Sequence, residues 1–225
     1  MPATHADLRS IPLFAGLSFS DLERVVPLVQ EQSFHAKKVV FHEGSPFSGL
    51  HIVKSGRVKT SKGFQNREQI LEILGEGELL DPIPLFDQGA HCATAKTLDD
   101  TLIYRLEPDA ARQLMGDYSF VLTNLLTVMS KRLRKLATLA NDLAFKDVTA
   151  RVCKVLLDQA LLEGEAMPRG IRLKQTLTRQ DLAALVGTAR EVAWRALKRL
   201  ERDGLIQILG RQILIVDVER LKAMT

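Results

Sequence analysis

The apolar residues between positions 118 and 145 advance by four, three, four, three, four and three: Leu122, Leu126, Met129, Leu133, Leu136, Ala140 and Leu143. Unbroken a/d spacing over three heptads predicts a long helix, from about Tyr118 to Phe145, with a coiled-coil seam. Lys131, Arg132, Arg134 and Lys135 fill the adjacent surface, which suits a helix paired in parallel with a second copy better than one buried in a monomer. Upstream the period changes. From about Phe34 to Leu106, short β-rich runs such as Val39-Val40-Phe41 and His51-Ile52-Val53 alternate with turns at Gly44, Gly56, Gly63, Gly75, Gly77 and Gly89. Many short strands with regular turns predict a small antiparallel roll or barrel. A short helix with Ser20 as its N-cap precedes the roll, and Pro108 opens another through Met115.

Beyond the long helix, Phe145-Lys146-Asp147-Val148 breaks the register, and Asp147 caps a helix running to about Glu163. GEAMPRG reads as a flexible loop, and Ile171–Lys174 as a short strand. Leu177–Ile206 then carries two short amphipathic helices meeting at Gly187, where a tight helix–helix turn needs positive φ. Thr178 with Asp181, and Thr188 with Glu191, each fit a capping box. At about 100° per residue, Val192, Ala193, Ala196, Leu197 and Leu200 cluster on one face of the second helix. Arg190, Glu191, Trp194, Arg195 and Lys198 occupy the other, a composition that suits a helix reading the major groove. An ordinary helical hairpin with a solvated charged face fits the periodicity equally well. The tail tips the balance: Leu205–Leu209 and Gln212–Val216 flank Gly210-Arg211, a hairpin with a type II′ turn. A hairpin directly after a reading helix is the winged form of the helix-turn-helix, and Arg211 at its tip is placed to meet a phosphate.

With 225 residues, 46% of them hydrophobic, the chain can bury a core in two domains. A net charge of +4 is compatible with nucleic acid without establishing it. No apolar run spans a bilayer and the first residues are not a signal peptide, so the expected location is the cytoplasm. Cys92 and Cys153 are too few and too far apart for a metal knuckle. No nucleophile–base pair, metal triad or phosphate-binding glycine loop stands at useful spacing, so no enzyme activity is expected.

At TRQDLAALVGTARE, the basic helix after it, DGLI and the closing hairpin, the chain resembles the CRP/FNR family of bacterial transcription regulators. LAFKDVTARV is similar to that family's hinge, and FHEGSPFSGLHIVKSGRVK to strands of its roll. The resemblance covers nearly the whole chain and implies an α+β fold in three parts. These are an effector-sensing antiparallel β-roll (a double-stranded β-helix, residues 1–116), a dimerisation helix (117–145) and a winged helix-turn-helix (146–225). It implies a homodimer on palindromic double-stranded DNA with TGTGA-like half-sites, probed through Arg190, Glu191 and Arg195, with RNA polymerase as a further partner. Thr178, Thr188, Trp194, Lys198 and Arg211 complete the expected DNA-contacting set, although Trp194 departs from the small residue usual there.

The implied effector pocket comprises Leu80, Asp81, Pro82, Ile83, Cys92, Ala93, Arg132 and Leu136. Its cassette keeps the family's spacing from Gly77 to Gly89 but not its chemistry. Pro82 stands where the resemblance implies a ribose-binding glutamate, and Cys92 and Ala93 replace the phosphate-binding arginine and serine. Leu136 and Ala137 replace the hydroxyls that hold adenine, beside an Arg132 that fits a nucleotide-side arginine. A cyclic phosphate there would lack its main cation, so cyclic AMP is not the expected effector. The cysteine cluster of the iron–sulfur branch is absent. His91-Cys92 leaves haem ligation or a response to oxidation open beside a structural role. The expected regulator answers to another effector or to redox state; the competing function is a sensor whose winged helix docks a protein.

Overall fold

A computed structural model describes residues 3–65, 67–173, 177–210 and 212–225. The chain forms two compact units, Met1–Lys62 with Leu71–Lys135, and Gly63–Ile70 with Leu136–Thr225.

The first unit opens with α1 (His5–Arg9) and α2 (Phe19–Val25), each started by a reciprocal capping box, Thr4 with Asp7 and Ser18 with Asp21. The cap of α2 is therefore Ser18, not Ser20: the Ser18 hydroxyl accepts from the Asp21 amide and the Asp21 carboxylate answers the Ser18 amide. Two four-stranded antiparallel sheets follow. One orders β1 (Val29–Phe34), β8 (Thr101–Leu106), β3 (Leu50–Ser55) and β6 (Leu79–Leu80). The other orders β2 (Val39–Phe41), β7 (Thr94–Thr97), β4 (Val58–Phe64) and β5 (Arg67–Leu74). Apolar side chains from both sheets, among them Phe41, Val58, Ala95 and Ile103, meet in one buried cluster, as the two inner faces of a roll must. A short α3 (Pro84–Asp87) lies between β6 and β7, and α4 (Pro108–Asp117) begins with proline in its first turn.

A second cluster joins Leu8, Leu13 and Phe14 to Ile52, Tyr104 and Leu106 of the roll, and to Val121 and Leu125. The last two lie in α5, a single helix over Ser119–Phe145. Its core-facing residues are neighbours of the heptad seam but distinct from it. Leu126, Leu133, Leu136 and Leu143 are exposed, and Met129 and Leu122 only partly covered.

In the second unit, Asp147 accepts a bond from the Ala150 amide and starts α6 (Val148–Glu163), as the sequence predicts. The segment read as a flexible loop is instead a hairpin of β9 (Gly164–Met167) and β10 (Gly170–Leu173). Its outer strand is fully exposed and lacks β-branched residues, so pairing with β10, not side-chain pattern, makes it a strand. Helices α7 (Arg179–Val186) and α8 (Arg190–Arg202) and the hairpin β11 (Ile206–Leu209)–β12 (Gln212–Ile215) complete a winged helix, closed by α9 (Val218–Lys222). The four strands form one sheet in the order β11-β12-β10-β9. Val152, Cys153, Leu182, Val186, Leu197, Leu200 and Ile215 share its core, so Cys153 is a packing residue.

No described helix is long and apolar enough to cross a membrane, and no described group of three or more His, Cys, Asp or Glu could hold a metal ion.

Candidate nucleic-acid interface and effector cassette

The helical pair is built from its caps outward. The Thr178 hydroxyl accepts from the Asp181 amide at 3.1 Å and donates to its carboxylate at 2.7 Å, which fixes the start of α7. Gly187 ends that helix at φ +69°, and a Cβ there would lie 2.5 Å from a Leu143 methyl, so the turn needs both glycine's conformation and its size. The second expected capping box does not form. Thr188 donates its amide to the Ala183 carbonyl and belongs to the end of α7, while Ala189 stands at the N-cap of α8 without a side-chain bond.

Helix α8 sorts its residues as the periodicity predicts. Ala193, Ala196, Leu197 and Leu200 are buried, whereas Arg190, Glu191, Arg195 and Lys198 are exposed. Arg190 lies 3.7 Å from Glu191, and Lys198 pairs with Glu201 at 2.7 Å. Trp194 departs from the outward set. It is half-buried against the winged-helix core, and its ring carries the Arg179 guanidinium 3.6 Å from the centroid and the Lys198 ammonium at 5.1 Å. One indole face is therefore covered by a cation from α7, a partner that helical spacing within α8 cannot reveal. Gly210 at the wing tip has φ +61°, as a glycine-first turn requires, and Arg211 lies outside the described residues.

Where α5 meets α6, buried Asp142 pairs with Lys146 at 2.9 Å and with Lys154, and Arg151 donates to the Lys146 carbonyl at 2.8 Å. Burial opposes the Asp142 charge, but the bonds from Lys154 and Lys146 outweigh it and hold the carboxyl below its ordinary range. The junction is thus stapled by charge-assisted bonds.

The effector cassette shows a constellation that the sequence does not reveal. Asp81 is buried with φ +34°, a backbone conformation that side-chain-bearing residues rarely take. Its carboxylate accepts from His91 Nδ1 at 3.0 Å, the Cys92 amide at 2.9 Å and the Cys92 thiol at 2.9 Å. Burial disfavours the Asp81 charge, but those bonds outweigh it and leave the carboxyl below its ordinary value. The same contact works in reverse on Cys92: burial and the neighbouring carboxylate push its thiol up to about 12. His91 is stacked on Phe41, with ring centroids 3.7 Å apart.

Of the other predicted pocket residues, Leu80, Pro82 and Ala93 are buried and Ile83 is exposed. Arg132 is engaged internally, by Glu72 at 3.2 Å and by the Leu79 carbonyl. Leu136 is exposed and falls in the second unit.

Polar groups of this cassette are engaged within the protein. The backbone amide and thiol at Cys92 already serve the protein's own carboxylate, and Arg132 already has a carboxylate partner. A ligand phosphate brought beside Asp81 would be a second anion at the site.

His51, buried beside the same rings, makes the roll sensitive to acid. Burial and the proximity of His91 lower its pKa from 6.5 to about 4. Such a group stabilises the fold fully above 6.5, and the contribution is lost as pH falls towards 4, where only the unfolded chain takes up the proton. The gap corresponds to about 3 kcal/mol. Denaturant unfolding of the roll is expected to show a loss of about 2 kcal/mol between pH 7 and 4.5. His51→Gln should remove most of that loss; a variant with the full loss would place its origin elsewhere.

Comparison with known proteins gives two family matches: a cyclic nucleotide-binding domain over residues 31–118 and a Crp-like helix-turn-helix domain over 150–224. The chain is 32% identical over 210 residues to a CRP-like cAMP-activated global transcriptional regulator of Mycobacterium tuberculosis, covering 93% of this chain and 94% of the relative. It is 32% identical over 208 residues to the CRP-like protein Clp of Xanthomonas euvesicatoria, covering 88% and 89% of the two chains. Among solved structures, the c-di-GMP-responsive global regulator CLP of Xanthomonas campestris superposes with a TM-score of 0.77 at 31% identity, over 86% of this chain and 97% of that one. A CooA variant from Carboxydothermus hydrogenoformans shares the fold with a TM-score of 0.79 at 24% identity, over 98% and 96% of the chains.

Proposed function

Because the chain belongs to the family of CRP-like transcription regulators, we propose that it acts as a homodimer that reads a palindromic duplex through Arg190, Glu191 and Arg195 of two α8 helices. The observation that carries this reading is the division of α8. Its small and apolar side chains are locked in the winged-helix core, while Arg190, Glu191 and Arg195 stand free to meet base edges. Arginine's fork matches guanine O6 and N7, and a carboxylate accepts from cytosine N4, which favours TGTGA-like half-sites. Lys198 and, from its place in the sequence, Arg211 contribute phosphate contacts. The Thr178 hydroxyl holds the start of α7, so any contact it makes with DNA is secondary to its cap.

The exposed α5 seam supports pairing with a second copy, which would set two half-sites about one DNA turn, roughly 34–36 Å, apart. A regulator of this kind works where the DNA is, in the cytoplasm, with RNA polymerase as the partner through which it acts on transcription.

The named effectors differ among the relatives, cAMP for the mycobacterial protein and c-di-GMP for the Xanthomonas one. In this chain the Asp81–His91–Cys92 cluster, where Asp81 already takes up the Cys92 amide and thiol, argues for an effector other than cAMP. It argues equally against redox sensing at Cys92, since a thiol pushed up to about 12 is a poor nucleophile. Adding 1 mM cAMP, a choice of roughly saturating excess for micromolar sites, is expected to leave duplex affinity unchanged. A tightening of fivefold or more would return the cassette to the nucleotide binders.

The DNA reading itself is tested by salt. Log affinity for a palindromic duplex should fall linearly with log salt concentration, because phosphate contacts release counterions. A flat dependence would favour the competing function, a winged helix that docks protein.

A further inference from the structure

Helices α5 and α6 are joined by two residues, Lys146 and Asp147, and the joint is bonded from both sides. Asp147 answers the Ala150 amide at the start of α6, and Arg151 donates to the Leu143 and Lys146 carbonyls, at 3.3 and 2.8 Å. Those bonds satisfy the orphan groups at two helix ends. Asp142 does something different. It is 5% exposed, and its carboxylate reaches past the joint to Lys154, in the second turn of α6, while Lys146 closes on it at 2.9 Å. One carboxylate thus ties the last turns of α5 to the joint and to the next helix.

A buried ion pair is a weak source of stability, because desolvation offsets most of the attraction. What charge-assisted bonds on a desolvated carboxylate do enforce is direction. Here the direction matters, because α6 carries the recognition helix. Val152, Cys153 and Leu156 of α6 share one buried cluster with Leu182 of α7 and with Leu197 and Leu200 of α8. Helix α6 has 16 residues, which makes it about 24 Å long. A turn of about 10° at its start moves its far end by about 4 Å, more than the roughly 3.4 Å rise of one base pair.

We propose that Asp142, through Lys154 and Lys146, is a positioning residue for DNA reading: it fixes the angle at which α6 leaves α5, and so sets the half-site spacing that two paired recognition helices accept. This role rests on the reading of the protein as a homodimer on a palindrome. It leaves the base contacts of each α8 helix untouched and acts only on how the two are spaced.

Full-length variants are titrated with duplexes carrying TGTGA and its inverted repeat, the spacing changed one base pair at a time, and with a duplex carrying one half-site. The unaltered protein should favour its best spacing over those one base pair away by at least about tenfold, because poor geometry forfeits the linkage between half-sites. Asp142→Asn and Lys154→Gln should flatten that ratio to about threefold or less, while affinity for the single half-site changes less than about twofold. Lys154→Arg, which keeps a cation for the carboxylate, should retain most of the preference. Each ratio compares two duplexes on one protein, so a loss of folded material cancels from it. Spacing preference as sharp in Asp142→Asn and Lys154→Gln as in the unaltered protein overturns the proposal and leaves the dimer reading standing. Equal flattening by Lys154→Arg and Lys154→Gln overturns it too, since the charge at 154 would not be what acts. A flat profile for the unaltered protein overturns the dimer reading, and this role with it. Should Asp142→Asn fail to fold, the two Lys154 variants decide the matter.

Discussion

Leu133→Asp is expected to convert the protein from a dimer to a monomer and to weaken its binding to a two-half-site duplex by at least about a hundredfold. Leu133 is 70% exposed on α5, although the same helix buries Val121 and Leu125 completely in its own domain. Leu126 and Leu143, on the same a/d seam, are 53% and 37% exposed. Each leucine brought out of water contributes roughly 1.5–3 kcal/mol, and the seam repeats the gain in both copies. A carboxylate at its centre meets its symmetry mate in a parallel pair, adding repulsion to the lost burial. Monomers must then bind the half-sites one at a time, which forfeits the linkage between them. Sedimentation velocity reads the first effect and duplex titration the second. A variant that remained dimeric would show that the chains join elsewhere.

Arg190→Ala is the second large effect, and it should fall on selectivity. The Arg190 side chain is 62% exposed and lies 3.7 Å from Glu191, outside the buried winged-helix cluster, so truncation leaves that core intact. A bidentate arginine–guanine contact contributes about 1–3 kcal/mol of discrimination in each half-site. The ratio of operator to random-duplex affinity should therefore drop about tenfold or more, while random-duplex affinity, set by phosphate contacts, changes little. Lys198→Ala should do the opposite, weakening both duplexes alike. Parallel losses on both duplexes for Arg190→Ala would remove it from the base-reading set.

Much of the architecture is legible in the chain because it rests on local rules. The period of α5, the Asp147 cap of α6, the Thr178 box and the two faces of α8 all follow from spacing and short-range bonding. Failures occur where a residue's partner is remote or its neighbour competes. Thr188 has a carboxylate at the right distance, but the left-handed turn at Gly187 draws its amide back to Ala183 and moves the start of α8 one residue on. The hairpin β9–β10 is held by pairing across the sheet, which its glycine- and proline-containing sequence does not advertise. Trp194 lies at the edge between two faces, and the cation that covers it comes from another helix.

The effector cassette marks the same boundary. Its departures from the nucleotide-binding pattern are visible position by position, at Pro82, Cys92 and Ala93. What fills their place is not, because it depends on Asp81 adopting positive φ and reaching residues ten and eleven positions away. Substitution shows which bonds are lost; only coordinates show which are made instead.

We propose that two α8 helices read symmetric half-sites through Arg190, Glu191 and Arg195. The most direct test is selection of duplexes from a random-sequence pool by the full-length protein, followed by sequencing of the retained fraction. A palindrome of G·C-containing, TGTGA-like half-sites with centres about one helical turn, roughly 10–10.5 base pairs, apart is the predicted result. Retention of duplexes without a shared motif, or with a single unrepeated half-site, would contradict it.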